Sequence, residues 1–335
     1  MSVKLVEVSR SGLVECIHRG DVAVVNSKGE LLYSAGDPHK IAYMRSSAKP
    51  MQTVNVLKSG AAKHFKLTDK EIAVISSSHY AEPFHREAIR SILSKIGLTV
   101  NHILGGTVTS LNPNYALRLA RDNVPLSPVF SDCSGKHAGM LAVCKHQNLS
   151  VTDYLSPNHQ CQQAILSDIA YFCQFPKSSI HIGIDGCSAP VHALPLKNIA
   201  LGFARFVDTE MLDSPYSDIC PRIFSAMNKY PEMVAGTGGF CTELIKNTNG
   251  KLIGKIGAEG VYCIGLKNKG IGKAVKMESG SMAMLPPVVI HVLKSLNVLS
   301  NNELKALSRF EIMDNANDLN TVVGKIKPVF ELKRL

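Results

Sequence analysis

The sequence predicts an α+β fold, read as a single domain over residues 1–335, and three observations lead there. Apolar and polar side chains alternate at residues 3–8 and 13–18, the two-residue period of half-buried strands. From Lys49 the period turns helical and stays so through most of a middle region at about 50–180. Beyond residue 250 the stretches "KLIGKIGA", "VYCIGLK" and "GKAVKM" return to strand. Strand-rich ends flanking a helical middle place both terminal segments in one antiparallel sheet beside a helical lobe.

Taken in order, "VAVVNSKGELLYS" adds a hairpin whose turn is Ser27-Lys28-Gly29. The first helix runs from Lys49 to a stop at Gly60. Further helices are expected over Asp69–Ile75, over "PFHREAIRSILSKIG" up to Gly97, and over "NYALRLARD" and "GKHAGMLAVCKHQ". In "SPNHQCQQAILSDIAYF", Ser156 is the expected cap and Pro157 occupies the first turn, where proline is tolerated. "SIHIGID" reads as a buried strand leading into a Gly-Cys turn, and "CPRIFSAMNKY" as a helix. Helices near 285–297 and 301–309 close the chain.

The 335 residues are 45% hydrophobic and 19% charged, which supports a substantial core and excludes a disordered chain. A net charge of +10 raises the question of a polyanionic partner. The basic residues are scattered, there is no Trp, and no zinc-finger or RNP-like pattern occurs, so the expectation is a solvated basic surface and no nucleic acid. No run of about 18 apolar residues occurs, so no membrane span is expected. The nine cysteines are dispersed, and "MSVKLVEVSRSGLVE" lacks the apolar stretch of a secretory signal. That is reduced, cytoplasmic cysteine usage and not a disulfide framework.

The stretch "YMRSSAKPMQ" places Ser46 three residues before Lys49, where a helix begins. Residues three apart share a helix face, so an amine is directed towards a hydroxyl. A desolvated lysine can accept a serine proton, and a helix N-terminus favours developing negative charge. The same spacing is also met by an ordinary cap and a solvated lysine. Two later features give it company. Ser78 follows in "SSSHYAEP", and Lys255-Ile256-Gly257 lies on an expected strand. The order S-x-x-K, second serine, K-x-G is that of penicillin-recognising acyl transferases. Ile256 departs from the usual Ser or Thr of that strand, while Gly257 would let a substrate backbone approach it. The pairs expected are Ser46–Lys49 and Ser78–Lys255, with Arg45 and His79 beside the two serines as candidate substrate contacts.

A second cluster is built from "SDCSGKHAGM" and "GIDGCSAP", which supply Cys133, Lys136, His137, Asp185 and Cys187. Two thiolates from separate segments suit Zn²⁺, with water or a nitrogen completing a tetrahedron, and two buried free thiols suit the same pattern. His137 reads equally as a ligand or as a hydrogen-bonded neighbour. In "AGTGGF", Thr237-Gly238-Gly239 resembles the threonine loop of bacterial-type asparaginases. It lies far from the N-terminal position of that loop, and Phe240 follows it, so Thr237 is at most a substrate contact.

The strings "MRSSAKPMQ", "SSSHYAEPFH", "DCSGKHAGML", "DGCSAP", "PEMVAGTGGF" and "GKIGAEGVY" occur in the order in which they do in the asparaginase II family, the rhizobial-type or class 3 L-asparaginases, and the likeness covers nearly the full length. The resemblance implies a fold like the serine β-lactamases and glutaminases, a homodimer, and hydrolysis of L-asparagine to L-aspartate and ammonia. It places the catalytic serines and lysines on Ser46, Lys49, Ser78 and Lys255. It places a zinc site on Cys133, Lys136 and Cys187, with Asp185 nearby, and His137 is not carried over as a ligand. Asp132 stands where many relatives have asparagine, and "MESGSMAM" replaces their acidic-Asp-Gly string.

The expected mechanism has one serine attack the side-chain amide while a neutral lysine takes its proton, with Ser46 preferred because a helix N-terminus stands behind it. Zinc is expected to orient the substrate's α-amino and α-carboxylate groups. The rivals are another Ser/Lys amidase, acting on glutamine or a larger amide, and a non-catalytic zinc-binding protein.

Overall fold

A computed structural model describes residues 1–335. The strands in chain order are β1 Val3–Arg10, β2 Leu13–Asn26, β3 Leu31–Ala35, β4 Ile41–Tyr43, β5 His181–Ile184 and β6 Pro190–Pro195. They continue as β7 Leu252–Gly257, β8 Val261–Leu266, β9 Ile271–Met277, β10 Met313–Ala316, β11 Val322–Pro328 and β12 Lys333–Arg334. The helices are α1 Lys49–Lys58, α2 Ala61–His64, α3 Asp69–Ile75, α4 Pro83–Lys95, α5 Pro113–Arg121, α6 Ser134–His146 and α7 Gln160–Cys173. After them come α8 Leu196–Val207, α9 Tyr216–Lys229, α10 Pro231–Val234, α11 Phe240–Asn247, α12 Leu285–Ser295 and α13 Asn301–Ala306. No helix is long and apolar enough to cross a membrane.

The chain forms two compact units. The first comprises Met1–Ser47, Leu194–Asp208 and Glu243–Leu335. Its antiparallel sheet has the order β10-β11-β1-β2-β9-β8-β7, so the two ends of the chain do share one sheet. The inner half of β2 is buried from Gly20 to Val25, and its outer half, Leu13–Arg19, is largely exposed. Buried Val22 and Ala23 sit opposite Val275 and Ala274 of β9. Helix α8 covers this inner half, and the sheet is made thin for it: a Cβ on Gly272 would lie 1.8 Å from the Ala200 carbonyl oxygen.

The second unit comprises Ala48–Ala193 and Thr209–Thr242 and is mainly helical. Helix α6 is buried on every side from Ser134 to Cys144, and α1 is buried from Lys49 to Val56. Both are interior helices, so burial runs all round them and not along one stripe. Gly135 lets the start of α6 approach α3, since a Cβ there would lie 2.1 Å from the Val74 carbonyl oxygen. That close approach fixes where Cys133 and Lys136 stand.

Four expectations are corrected. Helix α7 begins at Gln160, not at Pro157, and its cap is His159, whose ring accepts the Cys161 N–H. Ser156 lies in the preceding turn, where its N–H donates to the Asp153 carbonyl. Strand β5 is not buried, and β6, which pairs with it antiparallel, carries the buried face. Helix α9 starts upstream of Cys220 at Tyr216 and holds Pro221 inside its second turn. The chain does not close on helices: β10, β11 and β12 follow α13, and their short, charged, half-exposed sequences give a weak strand signal.

Candidate active site

In the helical unit, Lys49 is the first residue of α1 and is fully buried. Its Nζ donates to Ser78 Oγ at 3.0 Å and reaches the Asp132 carbonyl at 3.4 Å and the Asp132 carboxylate at 3.5 Å. Ser78 follows α3 in an extended segment pinned on both sides. The Ser78 and Tyr80 N–H groups donate to the carbonyls of Val234 and Ala235, and the His79 N–H donates to that of Asp132. The hydroxyl of Ser78 is thus placed by backbone pairing.

The His79 ring is fully buried and engaged at both nitrogens. Nδ1 accepts the Ala81 N–H at 3.1 Å, so Nε2 carries the proton and donates to Ser134 Oγ at 2.9 Å. Ser134 in turn donates to the Val129 carbonyl. The ring ties the Ser78 segment to the start of α6. Thr237 is exposed, and its N–H donates to the Glu82 carboxylate at 2.8 Å.

Cys133 immediately precedes α6, Lys136 lies in its first turn, and Cys187 sits in the turn between β5 and β6. All three side chains are buried. Lys136 Nζ donates to Cys187 Sγ at 3.0 Å, and the two cysteines share a hydrogen bond. That bond, followed by burial, pushes the Cys133 thiol up, and it pulls the Cys187 thiol well below its ordinary value. Burial pulls the Lys136 ammonium down, but the charges on Cys133, Cys187 and Asp185 outweigh it and hold the group protonated. His137 shares a hydrogen bond at Nδ1 with the Tyr154 hydroxyl at 2.7 Å, and its side chain also interacts with the Cys187 thiol. Burial pulls its imidazole below the usual range, which keeps the ring neutral.

The expectation of a neutral Lys49 is corrected by the same arithmetic. Burial favours the amine, yet the negative charge of the hydrogen-bonded Cys133–Cys187 pair and of Asp132 overcomes it and raises Lys49 above its ordinary value. In this arrangement Lys49 is a donor to Ser78.

In the sheet unit, a short 3-10 turn at Arg45–Ala48 carries Ser46, which is half-buried. Ser46 does not cap α1: the cap position is Ala48, and no side chain bonds there. Arg45 adopts φ +50, a left-handed conformation unusual for a residue with a Cβ. Ser47 Oγ donates to the Met44 carbonyl at 2.7 Å and accepts from the Cys263 thiol at 3.4 Å, which fixes the turn from beneath. Lys255 on β7 is buried, with Nζ donating to the Ile256 carbonyl at 2.9 Å. Gly257 does not leave room for a substrate backbone as expected. A Cβ there would lie 2.8 Å from the Met44 carbonyl oxygen and 3.2 Å from Ser47 N, so the space is filled by the serine turn itself.

Residues 6–328 match the sequence model of L-asparaginase II. The chain belongs to the L-asparaginase II family. As a member of that family it is an asparaginase-type amide hydrolase. A search of curated protein sequences finds no match. Among solved structures, a β-lactamase from Mycobacterium bovis is 11% identical over 82% of this chain and 94% of its own, with a TM-score of 0.42. Mglu is 12% identical over 84% of this chain and 67% of its own, with a TM-score of 0.39.

Within this L-asparaginase II chain, the helical unit assembles Lys49 with Ser78, and Cys133 with Lys136, Cys187 and the neighbouring charge of Asp185. The sheet unit carries Arg45, Ser46 and Lys255. The Lys49–Ser78 bond joins a residue from each of the two pairs read from the sequence. The local sequence does not mark Asp132 as a working residue, although its carboxylate lies 3.5 Å from both Lys49 Nζ and Cys133 Sγ. Its place next to Cys133 in "SDCSGK" was the only available signal.

Proposed function

We propose that the protein is an L-asparaginase, hydrolysing L-asparagine to L-aspartate and ammonia through a serine acyl-enzyme. The observation that carries this reading is the buried Lys49 Nζ–Ser78 Oγ hydrogen bond in a member of the L-asparaginase II family. Ser46, the more accessible serine, attacks the side-chain amide. Lys49 and Ser78 carry the proton towards the leaving ammonia, and an ammonium on Lys49 stabilises negative charge developing on a bonded oxygen. Water then hydrolyses the ester. Lys255 is the second amine, Asp185 sets the charge at Lys136, and His79 holds the Ser78 segment in place. The reading takes the working protein as a cytoplasmic homodimer.

Cys133, Lys136 and Cys187 are the residues that would hold Zn²⁺. The donor set fits: two thiols sharing a hydrogen bond stand beside an amine 3.0 Å from one of them, in a buried place. On this reading the third protein ligand would be the amine of Lys136, which bonds Cys187 Sγ. Bound there, zinc would supply positive charge that neutralises the thiolates. The burial of this cluster suits setting charge more than holding the substrate's α-groups.

Ammonia release from L-asparagine and L-glutamine, with metal analysis of the same sample, tests the reading. The expected result is release from L-asparagine favoured over L-glutamine by about 10–200-fold, the discrimination one methylene allows. One zinc per chain is expected, lost in Cys187→Ser. Release from L-glutamine alone, or from neither, would contradict it.

A further inference from the structure

Arg45 and Glu259 form a facing pair that no step of the reaction above uses. They lie in the same unit, with Arg45 Nη1 3.9 Å from Glu259 Oε1. Arg45 is the residue before Ser46, and Glu259 sits at the β7–β8 turn, two residues after Gly257. The seating of Gly257 against the Met44–Ser47 backbone is what brings the two turns together. Both residues hold left-handed backbone, φ +50 for Arg45 and φ +58 for Glu259, which is costly for a side chain with a Cβ and concentrates at working sites.

The surroundings hold the Glu259 turn in position without closing the pair off. The Glu259 carbonyl accepts from Lys276 Nζ, and Gly280 makes room for the carboxylate, since a Cβ there would lie 2.7 Å from Glu259 Oε2. The Glu259 side chain is 70% exposed and that of Arg45 20%. At 3.9 Å the pair is looser than a hydrogen-bonded ion pair, so a ligand can replace the contact at small cost. A cation and an anion held side by side match the two charges that a free α-amino acid carries on one carbon.

We propose that Glu259 binds the substrate's α-ammonium group while Arg45 binds its α-carboxylate, so that the site selects free α-amino acids. The proposal rests on the asparaginase reading for its substrate class. It makes Glu259 a specificity residue and takes recognition of the α-groups away from the thiolate–lysine cluster.

The test is equilibrium binding of L-aspartate and succinate, by calorimetry, to the wild type and to Glu259→Gln. The two ligands share both carboxylates and differ by the α-ammonium. Glu259 is exposed, and glutamine keeps its shape, so the fold is preserved. The wild type is expected to bind L-aspartate about 10–100-fold more tightly than succinate, the range of a charged hydrogen bond. In Glu259→Gln that ratio should fall towards one, with succinate binding no weaker. An unchanged ratio overturns the proposal, as does equal weakening of both ligands, which is what a Glu259 that only steadies Arg45 would give. A wild type with no preference for L-aspartate overturns it too. Absence of ammonia release from L-asparagine, with the binding ratios as expected, would instead overturn the asparaginase reading alone.

Discussion

Lys49 Nζ lies 3.0 Å from Ser78 Oγ, and the two are separated by 29 residues of chain that include all of α3. The lysine comes from a buried helix start and the serine from a segment held by backbone pairing, so neither can turn away without breaking local structure. Replacing Ser78 by alanine should therefore lower kcat by about 10²–10⁴-fold, the usual range for a lost proton-transfer group. The acyl-enzyme should still form slowly. Steady-state ammonia release with quenched-flow detection of the intermediate checks both points.

Asp132 should tune the pH dependence. Burial lowers Lys49, and the charge of the Cys133–Cys187 pair and that of Asp132 more than reverse this. Asp132→Asn removes one of those charges and should lower the Lys49 value. The ammonium is the form that donates to Ser78, so the alkaline limb of the kcat–pH profile should move to lower pH. A limb that stays in place would mean that Lys49 does not set it.

The serine turn should be sensitive to a methyl group at position 257. Gly257→Ala would press on the Met44 carbonyl oxygen, the Arg45 Cβ and the Ser47 nitrogen, none of which is a flexible side-chain end. The expected outcome is a loss of about 1–3 kcal/mol in stability, the scale of overpacking in a filled site. Activity should fall further than the folded fraction does, because the turn carrying Ser46 has to move. Denaturant unfolding beside kcat on the folded protein separates the two effects.

Lys273 is a buried cation position with no use in the mechanism. It lies on β9 opposite Val24 and Ile264, is 1% exposed, and its Nζ has no hydrogen-bond partner. Burial holds its amine well below the ordinary lysine value. The unfolded chain then binds a proton that the native state does not, so stability should rise as pH increases towards the unfolded lysine value. Lys273→Met should stabilise the protein at neutral pH by about 1–3 kcal/mol, the penalty of a buried unsatisfied donor. It should also flatten that rise. Chemical denaturation at several pH values from 7 to 10 reads both.

What the sequence made legible was what short spacing or period carries. Ser46 and Lys49 are three residues apart, Cys133 and Lys136 likewise, and β7, β8 and β9 announce themselves by alternation. Strands β10 and β11 did not, because they lie in a half-exposed ribbon whose polar faces resemble loop. Contacts made across long stretches of chain were not legible either. Asp132 is 83 residues from Lys49, and nothing in its local sequence says that its carboxylate will reach that amine. The cap of α7 failed for a related reason. Ser156 and Pro157 are a good local start signal, but the His159 ring supplies the bond that ends the turn. The filling of the space beside Gly257 by the serine turn required the fold itself.

The central claim is that a serine forms a covalent intermediate with L-asparagine, and the most direct measurement is acid-quench mass spectrometry of the enzyme during turnover. An aspartyl ester on the peptide containing Ser46, present in the wild type and absent in Ser46→Ala together with ammonia release, is the expected result. Ammonia release that persists in Ser46→Ala, with no aspartyl ester on any serine peptide, would contradict the account.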